Sequence, residues 1–173
     1  MNFEEFSVPR LIPADVEAYV QLRAEALTQE PYAFAASSDD DVALSLDFVR
    51  SALADAGQAS FGAFPPMLVG IVGLSRERRK KTKHKANLRG LCVTPAHRRH
   101  GIGRAVVEAA LQWARSIEGV DQVQLAVTGS VRSAAALYER LGFVTWGVEP
   151  NALRIGDDTL PESHMVLRLH CVG

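Results

Sequence analysis

The sequence predicts an α+β fold of the layered α/β/α type, formed by a single domain over residues 1–173. A length of 173 residues fits one compact domain, and 47% hydrophobic with 23% charged residues is typical of globular chains. Segments with helical or strand periodicity follow one another in the order β-α-α-β-β-β-α-β-α-β-β. This order gives about seven strands and about four helices.

The first predicted elements are a short strand and two helices. Residues 3–11 have an extended pattern, and Pro13-Ala14-Asp15 then provides the punctuation that precedes a helix, which runs through Leu27. Pro31 stops that helix. Residues 39–54 carry apolar side chains at a spacing of three to four, which predicts a second, amphipathic helix.

Three strands follow in the middle of the chain. Residues 59–64 and 67–75 are joined tightly by Pro65-Pro66 and look like a hairpin. The run 76–85 contains seven basic residues and one acid, and residues 86–93 read as another strand. We therefore expect the basic run to be a hairpin loop, exposed to solvent.

The last third of the chain alternates helices with strands. Residues 101–117 place their apolar side chains on one helical face, and 130–141 are helical again before a glycine. Residues 123–127 alternate as a strand does, residues 143–147 begin another strand, and 164–169 close the sheet. A loop containing Gly156-Asp157-Asp158 is expected before that last strand.

Composition excludes several classes of protein. A formal net charge of −1 gives no overall attraction to nucleic acid or anionic membranes. The first residues lack the pattern of a signal peptide, and the longest apolar run, 67–74, is too short to span a bilayer, so we expect a cytoplasmic protein. Cys92 and Cys171 lie far apart without metal-ligand spacing, so neither a disulfide nor a metal site is expected. Both cysteines are predicted to be buried apolar residues rather than nucleophiles.

The sharpest motif is the segment 93–104, Val-Thr-Pro-Ala-His-Arg-Arg-His-Gly-Ile-Gly-Arg, in which a strand turns into a helix. A helix N-terminus offers unpaired N–H groups and partial positive charge, and glycines let a diphosphate approach them. The pattern R-x-x-G-x-G therefore predicts an anion-binding turn. The alternative is a strand-to-helix turn that needs glycine for packing and leaves its arginines in solvent.

Together with Leu-Tyr-Glu-Arg-Leu-Gly-Phe at 137–143, this motif resembles the GNAT superfamily of N-acetyltransferases over nearly the whole chain. The resemblance implies a central mixed, mostly antiparallel sheet whose fourth strand splays from the fifth. The pantetheine arm of acetyl-CoA would enter that gap, with the diphosphate on the turn. Acetyl-CoA would be the co-substrate, and no metal is implied.

The resemblance also assigns residues to the cofactor. The backbone of Leu91 and Val93 would bind pantetheine, and the turn would bind the diphosphate. The implied cofactor-binding residues are Leu91, Cys92, Val93, Arg98, Arg99, His100, Gly101, Ile102, Gly103, Arg104, Ser130, Ser133 and Tyr138. Tyr138 would also be catalytic, because a phenol with a pKa of about 10 can protonate a leaving thiolate at neutral pH. The alternative for Tyr138 is a half-buried aromatic on an amphipathic helix.

Two positions depart from the family pattern. Many members have an asparagine where this chain has Val131, and some have a glutamate base where it has Asn87. An amide cannot accept a proton, so any general base must lie elsewhere. Glu149 is the first choice for this base. The alternative is that Glu149 is only an exposed loop acid before Pro150. The other candidate bases are Glu30, Asp158, Glu162 and His164.

These observations leave three hypotheses for function. The first is transfer of an acetyl group to a primary amine, either a small amine or a protein amino group, by direct attack in a ternary complex. The second is a non-catalytic acyl-CoA-binding or sensory module with the same fold, suggested by the two departures. The third is a nucleic-acid partner at residues 76–85, which the net charge and the lack of interleaved aromatics disfavour. That run could also attract an acidic protein or the 3′-phosphate of CoA.

These motifs do not distinguish between acceptor amines. Acidic residues slightly favour a cationic small amine, namely Asp39, Asp40, Asp41, Asp157, Asp158 and Glu162. A homodimer is compatible with the sequence.

Overall fold

The structure is a computed structural model that describes residues 6–169. Within this range the chain forms four α-helices and one mixed sheet of six strands. The helices are α1 Val16–Gln29, α2 Leu46–Ala54, α3 Ile102–Ser116 and α4 Arg132–Arg140. The strands are β1 Gln58–Ala63, β2 Gly70–Arg76, β3 Lys85–Val93, β4 Gln122–Thr128, β5 Val144–Ile155 and β6 Asp158–Arg168. Residues 3–5 of the predicted first strand, and Cys171, which was predicted to be buried, lie outside the described range.

The sheet is antiparallel except at its centre. Its strand order is β1-β2-β3-β4-β6-β5, and β3 and β4 are the parallel pair. Their pairing covers 85–87 of β3 and 122–124 of β4, although β3 continues to Val93 and β4 to Thr128. The two strands therefore part beyond Asn87, which is the splay that the family resemblance implied.

Helices pack on both faces of this sheet. On one face, α3 buries Val106, Val107 and Ala110 against Val72 and Val123. On the other face, side chains from α1 and α2, including Leu22 and Val49, pack around Ile71 and Cys92. The predicted α/β/α layering is confirmed. Along β4, Gln124 and Ala126 alternate with buried apolar residues and so face the side of the sheet on which α1 and α2 lie.

The sheet has six strands where about seven were expected. In the described part of the predicted first strand, only two isolated bridges form, from Ser7 to Phe64 and from Arg10 to Phe61. Pro9 lies between them and has no N–H to donate, which accounts for the interrupted ladder.

Two boundaries also differ from the prediction, and both have local causes. The second helix begins at Leu46 rather than at residue 39, because the Ser45 hydroxyl accepts the Phe48 N–H and caps it there. The last strand, β6, begins at Asp158 rather than at residue 164 and forms a long hairpin with β5. The loop expected before this strand is therefore a tight turn. Pro150 and Pro161 break the alternation that would have revealed this hairpin.

The basic run is a hairpin loop as predicted, since Arg76 pairs with Ala86 across β2 and β3. It lies at the start of β3, whereas the anion-binding motif follows its end. A nine-residue strand spans about 25 Å, so the loop and the motif lie at opposite ends of β3.

Candidate active site

The strand-to-helix turn has the backbone geometry of an anion site. After β3, a 3-10 turn at Pro95–His97 leads to Arg99 with φ +66° and Gly101 with φ +78°. Glycine is favoured at position 101, because residues with a side chain rarely adopt this left-handed conformation. The Ala105 N–H bonds the Gly101 carbonyl, so the N–H groups of residues 102–104 are the unpaired ones at the start of α3. These groups and the helix dipole suit a diphosphate.

The arginines of this turn make specific contacts. The Arg98 Nε donates to the Val93 carbonyl at 3.0 Å, and its Nη1 lies 2.8 Å from the Glu30 carboxylate. Arg104 pairs with Glu108 at 2.8 Å, and Arg99 is exposed. Because the Glu30 carboxylate is paired with Arg98, Glu30 is disfavoured as the base. The same pair connects the end of α1 to the turn.

The turn, β3 and α4 converge beside the splay. A Cβ placed on Gly103 would lie 3.5 Å from the Leu137 Cδ2 and 3.8 Å from the Val93 Cγ2, which are ordinary contacts. Two other predicted cofactor residues point their side chains into the core: Ile102 is fully buried, and burial raises the pKa of the Cys92 thiol to about 12. For Cys92 the core interpretation is supported, and only backbone groups of these two residues remain for a ligand.

Tyr138 lies next to this convergence on α4. It is 6% exposed and meets the Phe143 ring edge-on, with centroids 5.7 Å apart. Burial raises the pKa of the phenol above its usual value of about 10, so the hydroxyl stays protonated at neutral pH.

The start of α4 holds the remaining predicted cofactor residues. The Ser130 hydroxyl donates to the Tyr32 carbonyl at 3.0 Å, and Ser133 is exposed in the first turn. Val131 occupies the N-cap position and makes no side-chain cap hydrogen bond. The residue that departs from the family pattern thus leaves this helix start without a polar cap.

A cavity of about 200 Å³ lies where β3 and β4 part, with Asn87, Gln124 and His164 among its lining residues. The Asn87 amide donates to the Glu77 carboxylate at 2.7 Å. Trp146 also lines the cavity, is 63% exposed, and lies over His164 with ring centroids 5.4 Å apart.

Three of the candidate bases come together beside this cavity, and one of them, His164, lines it. The His164 Nε2 is 3.2 Å from the Glu149 carboxylate, and Glu149 is paired directly with Glu162 across β5 and β6. One ligand atom from each of the three lies within 4.8 Å of the others, so this trio has the donor types that could hold a metal ion. Asp158 instead accepts from the Tyr32 hydroxyl at 3.4 Å. The sequence could not group the trio, because its members come from two strands of an unpredicted hairpin.

A second cavity, of about 650 Å³, adjoins the first and shares Asn87 with it. Arg23 of α1 and Arg89 of β3 line it, as do the first residues of the basic loop. Sequence reasoning assigned no role to Arg23 or Arg89, because neither belongs to a local motif.

The splay between β3 and β4 and the anion-binding turn agree with the fold that the family resemblance implied. The chain belongs to the acetyltransferase (GNAT) family, whose sequence model matches residues 17–143. Members of this family use acetyl-CoA.

Relatives match part of the chain. It is 43% identical over 61 residues to a mycothiol acetyltransferase of Salinispora tropica, which is 35% of this chain and 20% of that protein. It is 38% identical over 81 residues to N-acetyltransferase family 8 member 3 of Rattus norvegicus, which is 46% of this chain and 35% of that protein. The chain therefore spans about a fifth to a third of the length of these relatives.

Solved structures share the whole fold at low identity. A GNAT-family acetyltransferase of Streptococcus pneumoniae has a TM-score of 0.85 at 20% identity, covering 96% of this chain and 100% of that one. A putative acetyltransferase of Salmonella typhimurium, solved with its cofactor acetyl-CoA, has a TM-score of 0.83 at 17% identity, covering 96% and 95%. Among residues 6–169, no helix is both long and apolar enough to cross a membrane.

Proposed function

We propose that this protein transfers the acetyl group of acetyl-CoA to a primary amine, carried by a small molecule or a protein, by direct attack in a ternary complex. The observation that carries the proposal is the histidine–glutamate pair at the cavity where β3 and β4 part. The anion-binding turn follows the end of the same strand, β3. A donor on the turn and an acceptor in the cavity would thus meet at the splay.

The residues of the turn fit the donor. The N–H groups at the start of α3 suit its diphosphate, and Gly103 adds no side chain beside β3 and α4. The part of β3 that pairs with β2 but not with β4, from Leu88 to Val93, offers backbone groups on its free edge to an extended pantetheine arm. Bound acetyl-CoA supplies an activated thioester, whose carbonyl carbon accepts the amine nitrogen and whose thiolate leaves.

His164 is proposed to remove the proton of the acceptor amine. An alkylammonium has a pKa of about 10 and must lose a proton before its nitrogen can attack. The Glu149 carboxylate lies 3.2 Å from the imidazole Nε2, where it stabilises the imidazolium that forms. Glu149, the first choice from the sequence, thus serves as the partner of the imidazole. The imidazole is partly exposed, so the proton can pass on to water.

Tyr138 is proposed to act on the leaving sulfur. Because burial raises its pKa, the phenol keeps its proton and stabilises the thiolate by donating a hydrogen bond to it. The nitrogen loses its second proton to solvent as the thiolate leaves, and the thiolate takes a proton from solvent, which completes the exchange.

The second candidate is a non-catalytic acyl-CoA-binding module. Asn87 favours it, because its amide is held by Glu77 at the position where a base is expected. A thiol-release assay with acetyl-CoA and a panel of amines separates the two candidates. We expect turnover with at least one amine, whereas binding of acetyl-CoA without turnover on any amine would favour the module.

Variants in the same assay test the histidine–glutamate pair. Replacing His164 by Gln should lower kcat by about a hundredfold to ten-thousandfold and remove the acid limb of the pH profile. Glu149→Gln should show a smaller loss with the same sign. Asp157→Asn, an exposed acid at the turn between β5 and β6, is the matched control and should behave as the parent. A His164 variant with the parental pH profile would remove His164 from this role.

A further inference from the structure

The second cavity contains a buried arginine with an unsatisfied donor. Arg23 of α1 is 8% exposed, and its Nε lies 2.7 Å from the Asp41 carboxylate. The other oxygen of Asp41 accepts the Ala43 N–H at 2.8 Å, and Asp41 contacts Arg23 through Nε alone. The Arg23 Nη1 is fully buried and has no hydrogen-bond partner. The guanidinium lies over the Phe34 ring at 4.3 Å, but this contact gives Nη1 no hydrogen-bond acceptor. A buried, charged donor without an acceptor is costly, which points to an acceptor that the described residues do not provide.

The position of this donor places it close to the proposed reaction. The Arg23 Nη1 lies 3.9 Å from where a Cβ on Gly90 would be, and Gly90 has φ +66°. The pairing of β2 with β3 is irregular here, since its register shifts between Ile71 and Gly73. Gly90 also lines the cavity, which shares Asn87 with the cavity that contains His164. A molecule bound at Arg23 can therefore extend to the splay.

The charges around the cavity favour an anion. Its lining includes five arginines and two carboxylates, and one of the arginines, Arg78, is paired with Asp55 outside the lining. Both carboxylates are already engaged, Asp41 by Arg23 and Glu77 by the Asn87 amide at 2.7 Å. Arg89 bonds the Ser75 hydroxyl at 2.8 Å and the Gln58 amide oxygen at 2.5 Å, so only neutral groups hold it.

We propose that the acceptor is an amino acid, and that Arg23, with Arg89 nearby, binds its carboxylate while its amine points to the splay. The planar guanidinium suits a carboxylate because its N–H groups can contact both oxygens. This inference rests on the proposed acetyl transfer to an amine and names the acceptor class. Asp41, one of the six acids behind the slight preference for cationic amines, is bound to Arg23 and so is not available to such an amine.

Matched pairs of acceptors test the proposal without any mutation. A free amino acid and its carboxamide differ in the charge at the position that Arg23 would contact. Amidation also lowers the pKa of the α-amine, so the two are compared through their pH-independent kcat/KM. We expect kcat/KM for the best amino acid to exceed that for its carboxamide by about ten- to a hundredfold, mainly through KM. Carboxamides used as well as or better than the free amino acids would overturn the proposal.

Variants then assign the preference to Arg23. Arg23→Met keeps much of the side-chain volume and should raise KM for the amino acid by about ten- to a hundredfold, while KM for the carboxamide and for acetyl-CoA stays the same. Arg23→Lys keeps the charge beside Asp41 and so guards against misfolding. Its KM for the amino acid should lie between the values of the parent and of Arg23→Met. Arg50→Met, on the exposed side of α2, is the control. A purely structural role would change both acceptors equally, and that result would contradict the assignment.

A binding measurement separates this inference from the proposed function. The Nε–H resonance of Arg23 in the full chain should shift on titration with the amino acid and not with its carboxamide. If the resonance shifts but the protein releases no thiol with any amine, the carboxylate site is supported and the proposed acetyl transfer is overturned. Acetylation of simple amines without such a shift would keep acetyl transfer and overturn the carboxylate site.

Discussion

Replacing Tyr138 by Phe should lower turnover while leaving the fold and the donor affinity nearly unchanged. The substitution removes one oxygen and keeps the ring that packs edge-on against Phe143 at 5.7 Å. We therefore expect the free energy of unfolding at neutral pH to change by no more than about 1 kcal/mol. The hydroxyl is proposed to meet only the departing sulfur, so its loss should appear in kcat.

The size of that loss follows from the interaction removed. A group that assists the leaving thiolate contributes about ten- to a thousandfold, or about 1.4 to 4 kcal/mol of transition-state stabilisation. Burial raises the pKa of Tyr138, so the folded phenol stays protonated at pH values where the unfolded one, with a pKa of about 10, ionises. Stability should consequently fall as the pH rises above about 10, and this fall should be smaller in the Phe variant.

Single-turnover kinetics with saturating acetyl-CoA is the suitable assay, because it isolates the chemical step. Tyr32→Phe provides the control, since it removes a tyrosine hydroxyl that contacts Asp158. The control should keep the parental rate within about twofold. An unchanged single-turnover rate in the Tyr138 variant would show that this residue serves packing alone.

The remaining predictions concern a thiol and a glycine. Because burial raises the pKa of the Cys92 thiol to about 12, folded protein carrying Cys171→Ser should resist iodoacetamide at pH 8 and react only when unfolded, and labelling of the folded protein would contradict this burial. The same raised pKa should lower the free energy of unfolding above about pH 8.5 by up to about 1.4 kcal/mol per pH unit. Urea denaturation at a series of alkaline pH values should show a smaller decrease in Cys92→Ala. Gly101→Ala should lower the free energy of unfolding by about 1 kcal/mol because of its φ of +78°, as urea titration would show, and equal or greater stability would contradict this strain.

The sequence could predict elements whose signal is local. The helix at 102–116 has a regular apolar face, and the turn before it combines glycines and arginines in one short motif, so both were predicted close to their observed positions. The splay followed from the family resemblance, because strand pairing depends on residues far apart in the chain. The prediction of a first strand was wrong within the described residues, which form only two isolated bridges there. Pro9 lies between these bridges and has no N–H to continue the strand pairing.

The acceptor side of the site could be predicted only in part. Glu149, Glu162 and His164 were all candidates, but their grouping requires the register of a hairpin that two prolines hide in the sequence. Arg23 has no local pattern, and its unsatisfied donor exists only once α1 packs near Gly90 and Asp41. Such long-range contacts cannot be derived from spacing alone.

Calorimetric titration of acetyl-CoA into Gly103→Asp and Gly103→Ala tests the central claim, that the turn before α3 holds the donor. The first atom of either side chain meets Leu137 and Val93 at ordinary distances, so both variants should fold. The alanine variant should bind within about threefold of the parent, whereas the carboxylate beside the unpaired N–H groups should weaken binding by at least about a hundredfold. A folded aspartate variant that binds acetyl-CoA as tightly as the alanine variant would contradict the assignment of this turn.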